Sequence, residues 1–227
     1  MKHSHWTMSV AALALVAIVP AAWAADTYRL DPAHTQVGFS IRHIFSKVPG
    51  RFNEFSGAIH LDEKNLATSS VQATINAASI STNHDKRDGH LRSADFFDVE
   101  KHPSLTFKST KVTPGPDKAF KVDGDLTIRG VTKPVTLDVV NLGSGTVMVE
   151  GNAIGGRAGY DVSTTINRKD FGIVWNKSLD QGGTLLGDEV TIQIQVEAVK
   201  ETPETAKPAA AGTPSKGAAT PATKDKK

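Results

Sequence analysis

Along the middle of the chain, apolar residues recur at every second position, the period of a strand with one buried face. Val37, Phe39 and Ile41 alternate with Gln36, Gly38 and Ser40, and Phe55, Gly57, Ile59 and Leu61 repeat the pattern. Further strands are predicted over Val71 to Ala77, at Leu105 and Phe107, and over Phe120 to Ile128. Others follow at Val135 to Val139, at Val147 and Val149, at Tyr160 to Thr164 and at Val190 to Val196, while Asp26 to Leu30 is a short β segment stopped by Asp31-Pro32. Pro49-Gly50, Asp62 to Asn65, Pro114 to Pro116, Gly130 and Gly143 to Gly145 carry turn residues. Gly151 to Gly159 is too glycine-rich for regular strand and predicts bulges or a wide loop, and Asn167 to Trp175 is irregular.

The chain therefore predicts an all-β fold of about eight strands, with no βαβ alternation and no internal repeat. An up-and-down barrel, a jelly roll and a sandwich all fit that count. Short hairpin connections favour the barrel. So do Gly57, Ala73, Ala77 and Gly124 on the apolar face, read here as leaving space for a ligand; a filled structural core would want bulky inward residues throughout.

One stretch breaks the alternation. His84, Asp85, Lys86, Arg87, Asp88, His90, Arg92 and Asp95 crowd into Thr82 to Phe97, which ends on Phe96-Phe97. Thr82 or Asn83 is the expected N-cap of a short helix, with Asp85 and Asp88 early and Arg92 late to suit its dipole. Asp88 and Arg92 stand at i and i+4 and are expected to pair. A short helix followed by two aromatics predicts a lid or plug at one end of the barrel.

The ends differ from the middle. Lys2, an apolar run from Met8 to Pro20 and Ala22-Trp23-Ala24 predict an export signal over residues 1–24, too short for a membrane span and cleaved after Ala24. Localisation in the periplasm is the expectation. Residues 25–200 form the predicted domain, long enough to bury a core without disulfides. Residues 201–227, rich in Pro, Ala, Thr, Gly and Lys, predict a disordered tail. The formal charge of +2 belongs to these ends, and no basic stripe with interleaved aromatics suggests nucleic acid. With 0 cysteines, thiol catalysis, Cys-ligated zinc and iron–sulfur chemistry are excluded.

Several stretches carry a family resemblance: Tyr28 to His34, Gly50 to Gly57, Arg87 to Asp98, Gly124 to Thr132, Asn167 to Gly172 and Gly187 to Val190. In this order they resemble the YceI family, covering nearly all of residues 26–200. Thr35 stands where Ser is usual, and the tail lies outside the family pattern. The resemblance implies an eight-stranded lipocalin-like barrel, exported, whose interior takes an isoprenoid quinone or prenyl phosphate. It also implies a homodimer and, in some members, a b561-type membrane cytochrome as partner.

The chemistry-bearing residues sort accordingly. Phe39, Ile41, Phe52, Phe55, Ile75, Phe96, Phe97, Phe107, Leu126, Phe171 and Trp175 are the expected lipid-contacting wall. His34, Arg87, Asp88, His90, Arg92, Asp95 and Arg168 are the expected head-group or lid network. The arginines suit a carbonyl, hydroxyl or phosphate, or else pair with Asp88, Asp95 and Asp170. No tight His spacing marks a metal site, and His84 with Asp88 at i, i+4 is a generic pair. There is no Gly-x-Ser-x-Gly. The sequence therefore predicts a binding protein with no catalytic residues and no cofactor beyond the lipid, used for transport or storage. The alternative is a redox or enzymatic accessory acting on the bound isoprenoid.

Overall fold

The computed structural model describes residues 25–202; the expected signal and all but the first two residues of the tail lie outside the described residues. One sheet closes on itself. Its strands are β1 (Asp26–Leu30), β2 (Gln36–His43), β3 (Ser46–Phe52), β4 (Phe55–Leu61), β5 (Ser70–Asn76) and β6 (Ile80–Ser81), then β7 (Ser104–Pro114), β8 (Ala119–Ile128), β9 (Val131–Val149), β10 (Asn152–Asn167) and β11 (Leu186–Lys200). A single α-helix, α1 (Asp85–Arg92), separates β6 from β7 among the described residues.

Eleven strands reduce to eight staves because three staves are broken. The β1 and β2 segments run along the same neighbour: β11 pairs Val190 to Gln195 with β2 and Ala198 to Lys200 with β1. The β3–β4 stave lies beside them, and the β5–β6 stave beside that. Thereafter β7 to β11 each pair with the next strand, all antiparallel, and β11 closes the ring on the first stave. This is the expected eight-stranded antiparallel barrel with one short helix. Closure leaves no long row of unpaired backbone groups around most of the wall.

The three breaks fall side by side, at residues 31–35, 53–54 and 77–79. Side chains bridge them where the ladder stops. Thr35 donates its hydroxyl to the Glu197 carbonyl at 2.9 Å and accepts from the Glu197 amide at 3.1 Å, which stitches the first break to β11. At the others, the Ser79 hydroxyl accepts from the Glu54 backbone amide at 3.0 Å, and the backbone N–H groups of Asn53 and Asn76 donate to the Ser79 and Glu54 carbonyls at 3.2 and 2.9 Å.

Several local expectations are corrected. Pro49-Gly50 is not a turn but part of β3; the chain reverses at Ile44-Phe45, with Ile44 at φ 51°. Gly143 to Gly145 is likewise inside the 19-residue β9. Gly151 to Gly159 does not form a wide loop: β10 runs through it, with the anticipated irregularity confined to register shifts at Ala153/Gly156 and Gly159/Tyr160. The expected turn at Gly130 is a two-residue hairpin, Arg129-Gly130, and a second one stands at Glu150-Gly151; in both, the two φ angles are positive as a type I′ turn requires.

The interior glycines also act otherwise than expected. A Cβ on Gly124 would lie 2.4 Å from the Phe107 ring, one on Gly50 2.3 Å from the Phe39 ring, and one on Gly57 2.8 Å from Leu30. These positions are not empty. Each is covered by the far end of a large side chain from the neighbouring stave. Large and small positions thus interlock around the wall, which brings the rings against the backbone and keeps the axis of the barrel clear.

Candidate functional site

The helix that covers one end of the barrel starts one residue later than the sequence suggests. His84 is the N-cap of α1, its Nδ1 accepting from the Arg87 amide at 3.3 Å, while Asn83 takes a left-handed φ of 57°. Thr82 is engaged elsewhere. Its amide donates to Asp88 Oδ1 at 2.8 Å, and its hydroxyl donates to the same oxygen. Arg87 Nε in turn donates to that hydroxyl at 2.7 Å, and its Nη2 to the Thr82 carbonyl at 3.0 Å. Asp88 is 5% exposed. Burial alone would raise its pKa, but the Thr82 and His84 hydrogen bonds and the Arg92 charge outweigh it and hold the carboxyl below its ordinary value.

Arg92 does not pair with Asp88. It turns to the carbonyls of Ala78 and Ile80, both at 2.8 Å, and so clamps α1 to the third broken stave. Arg168, 3% exposed, donates at 2.8 Å to the carbonyls of Gly187, Ile173 and Trp175 and at 3.4 Å to Asp188, the partner it has in place of Asp170. His90 Nε2 meets Asp95 Oδ2 at 2.7 Å and stacks edge-on against Trp175 and Phe96, at 4.8 and 5.0 Å between ring centres. These residues form one lid network. Each guanidinium places at least two nitrogens on Thr82 or on backbone carbonyls, which fastens the lid to the barrel.

His34 stands apart from it. At the first break it meets Asp31 at 2.9 Å, and that contact holds the Asp31 carboxyl down and the His34 imidazole up. Asp31, His34 and Glu197 lie at ligand spacing, but Arg157 Nη1 bonds Asp31 at 3.0 Å and Glu197 at 3.2 Å, supplying the positive charge itself.

Beneath the lid lie two apolar chambers. The outer one, about 360 Å³, is lined by Phe39, Ile41, Phe52, Phe96, Phe97, Phe171 and Trp175 together with Arg87, His90 and Arg168. The inner one, about 200 Å³, is lined by Phe55, Ile75, Phe107 and Leu126 and by Phe39 and Phe52, where the two meet. All eleven residues expected in the wall therefore face the interior. Two aromatic pairs stand at the junction and rim: Phe39–Phe52 at 5.8 Å and Phe52–Phe97 at 5.7 Å. Outside the rim, Phe45 at the tip of the β2–β3 hairpin is fully exposed.

Of the floor, the sequence pointed to Phe120 alone, as an expected wall aromatic. Tyr160, Phe120, Leu30, Leu61, Val112 and Val196 close the inner chamber. Tyr160 is 4% exposed and packs edge-on against Phe120 at 6.1 Å. Its hydroxyl has no hydrogen-bond partner among the described residues. Burial, with Tyr28 and Glu63 adding to it, pushes its pKa up to about 12. The signal was present: Tyr160, Val162 and Thr164 alternate and were read as a strand, but nothing in that pattern marks which end of the barrel Tyr160 closes.

A closed antiparallel barrel with an apolar interior beneath one helical lid has the architecture of barrels that enclose a small ligand. The chain belongs to the YceI-like domain family, which matches residues 28–198. It is 42% identical over 184 residues to a UPF0312 protein of Pseudomonas paraeruginosa, covering 79% of this chain and 90% of that one. A UPF0312 protein of Vibrio cholerae is 39% identical over 170 residues, covering 74% and 88%. Among solved structures, Burkholderia cenocepacia BcnA superposes with a TM-score of 0.66 at 25% identity, over 75% of this chain and 99% of that one. The Campylobacter jejuni YceI protein gives 0.60 at 33% identity, over 76% and 96%. A polyisoprenoid binding domain from Saccharophagus degradans gives 0.55 at 17% identity over 77% and 98%, a likeness of fold.

Proposed function

We propose that this protein is an exported, non-enzymatic carrier that holds an isoprenoid lipid, a quinone or prenyl phosphate, in its barrel for transport or storage in the periplasm. The observation that carries the reading is the pair of contiguous apolar chambers lined by aromatic and branched side chains beneath the helical lid. The Saccharophagus neighbour, a polyisoprenoid binding domain on the same fold, supports the ligand class.

Burying one CH₂ from water is worth about 0.8 kcal/mol. The competitor for such a cargo is a bilayer, equally apolar, so chain burial nearly cancels and shape and polar contacts decide selectivity. A redox or enzymatic accessory role has one feature in its favour, the His90–Asp95 pair beside Trp175 at the mouth. A homodimer and a b561-type cytochrome partner for a quinone cargo belong to the same proposal.

Native mass spectrometry of the protein purified from its own cell envelope tests it. A stoichiometric adduct that extracts as a prenyl lipid is expected, with the assembly mass reporting the dimer. Bare protein whose Trp175 fluorescence ignores added quinones and prenyl phosphates would sink the carrier reading.

A further inference from the structure

We propose that the floor of the barrel recognises the polar end of the cargo: the Tyr160 hydroxyl hydrogen-bonds a neutral oxygen of an isoprenoid that enters ring-first or hydroxyl-first, with its prenyl tail trailing to the mouth. The inference rests on the isoprenoid reading above and adds the head-group class and its orientation.

Three observations carry it. At the mouth, Arg87, Arg92 and Arg168 each place at least two nitrogens on Thr82 or on the carbonyls of Ala78, Ile80, Gly187, Ile173 and Trp175, so their guanidinium groups are held in place by the protein's own chain. At the floor the situation is reversed: Tyr160 lines the inner chamber with its hydroxyl buried and unpartnered. Buried hydroxyls are nearly always paired, because an unpaired one has lost water and gained nothing. A ligand oxygen arriving in that chamber restores the missing bond.

Size and charge then choose the oxygen. An apolar cavity of about 150 Å³ takes up benzene, so the inner chamber of about 200 Å³ accommodates one substituted ring. No lysine or arginine is among the residues that line the inner chamber. A prenyl phosphate placed here would be stripped of water without a free cation to receive it. The floor therefore selects a quinone carbonyl or a prenol hydroxyl, and rejects phosphate.

The test compares the full chain with Tyr160→Phe, reading Trp175 fluorescence against a short-chain ubiquinone and against squalene, a polyprene with no oxygen. Tyr160→Phe keeps the ring against Phe120. It is expected to weaken quinone binding about tenfold, the worth of a good net hydrogen bond, and to leave squalene unchanged. Equal quinone affinity in both proteins, with squalene still bound, overturns the floor assignment and spares the carrier reading. Binding of neither probe to the wild type overturns both. The infrared spectrum of carbonyl-labelled quinone in the wild type checks the orientation without a mutation. One carbonyl band is expected to fall below its position in hexane; both bands at the hexane position would overturn the proposal.

Discussion

At the mouth of the barrel, charged side chains are tied to the protein's own chain: buried Arg168 to three carbonyls, half-buried Arg92 to two, buried Asp88 to Thr82. At the floor the side chains are nearly all hydrocarbon, and one hydroxyl is left without a partner. The mouth has the residues that look functional in a sequence, yet they hold backbone in place. The floor looks like ordinary core and has the unsatisfied group. Ionisable residues in a conspicuous motif need not be there for a ligand, because a side chain fastened to its own backbone already has a structural task.

The contrast can be broken by mutation. The largest effect is expected for Arg168→Met, which strips three carbonyls and Asp188 of their donor. Urea unfolding should show a loss of about 3 kcal/mol or more, and a smaller loss would mean the mouth depends less on that clamp. Gly124→Ala comes next. Its new Cβ would meet the Phe107 ring at 2.4 Å and the Lys108 carbonyl at 2.6 Å. Overpacking of this kind costs about 1–3 kcal/mol, and the displaced ring should also lower uptake of a hydrocarbon probe by the inner chamber.

Asp88→Asn should cost about 1 kcal/mol at neutral pH, through loss of a charge-assisted acceptor. It also has a pH signature. The folded-state pKa of Asp88 is lowered, so its contribution is fully present above the ordinary aspartate value and is lost as pH falls through the folded value. The wild type should therefore lose lid stability, read by Trp175 fluorescence, below about pH 4, and the variant should show a shallower acid limb. Phe45→Ser should be the smallest change, within about 0.5 kcal/mol by thermal unfolding, because the ring is fully exposed. A larger shift would show that the rim packs against something in solution.

Much of the fold was legible because alternation follows from backbone geometry: the side chains that point inward repeat at period two wherever a strand lies. The wall of the site could be read for the same reason, and Phe39, Phe52 and Phe107 all face inward. Turns were less legible. Pro49 was taken as a breaker, but β3 is paired on its far side only at Arg51 and Phe52, so a missing N–H there removes no ladder bond. The glycines of β9 and β10 lie in a long hairpin that absorbs them as register shifts. Least legible were the partners of the arginines, since a sequence displays acids as candidate partners and conceals carbonyls. His34 belongs to the first break rather than the lid for a related reason: only the fold brings Arg157 and Glu197 beside Asp31.

The three breaks at residues 31–35, 53–54 and 77–79 lie abreast, so one flank of the wall is creased along a single line while the opposite flank is woven continuously from β7 to β11. A shell creased on one side has a direction of give. Load from inside is met by stiff ladder on five staves and by a few side-chain stitches, Thr35 and Ser79 among them, on the other three. Amides along the crease should exchange sooner than those of β8 to β10. The girth of cargo the vessel can swallow is then set by how far that hem lets out, whatever the lid above it does.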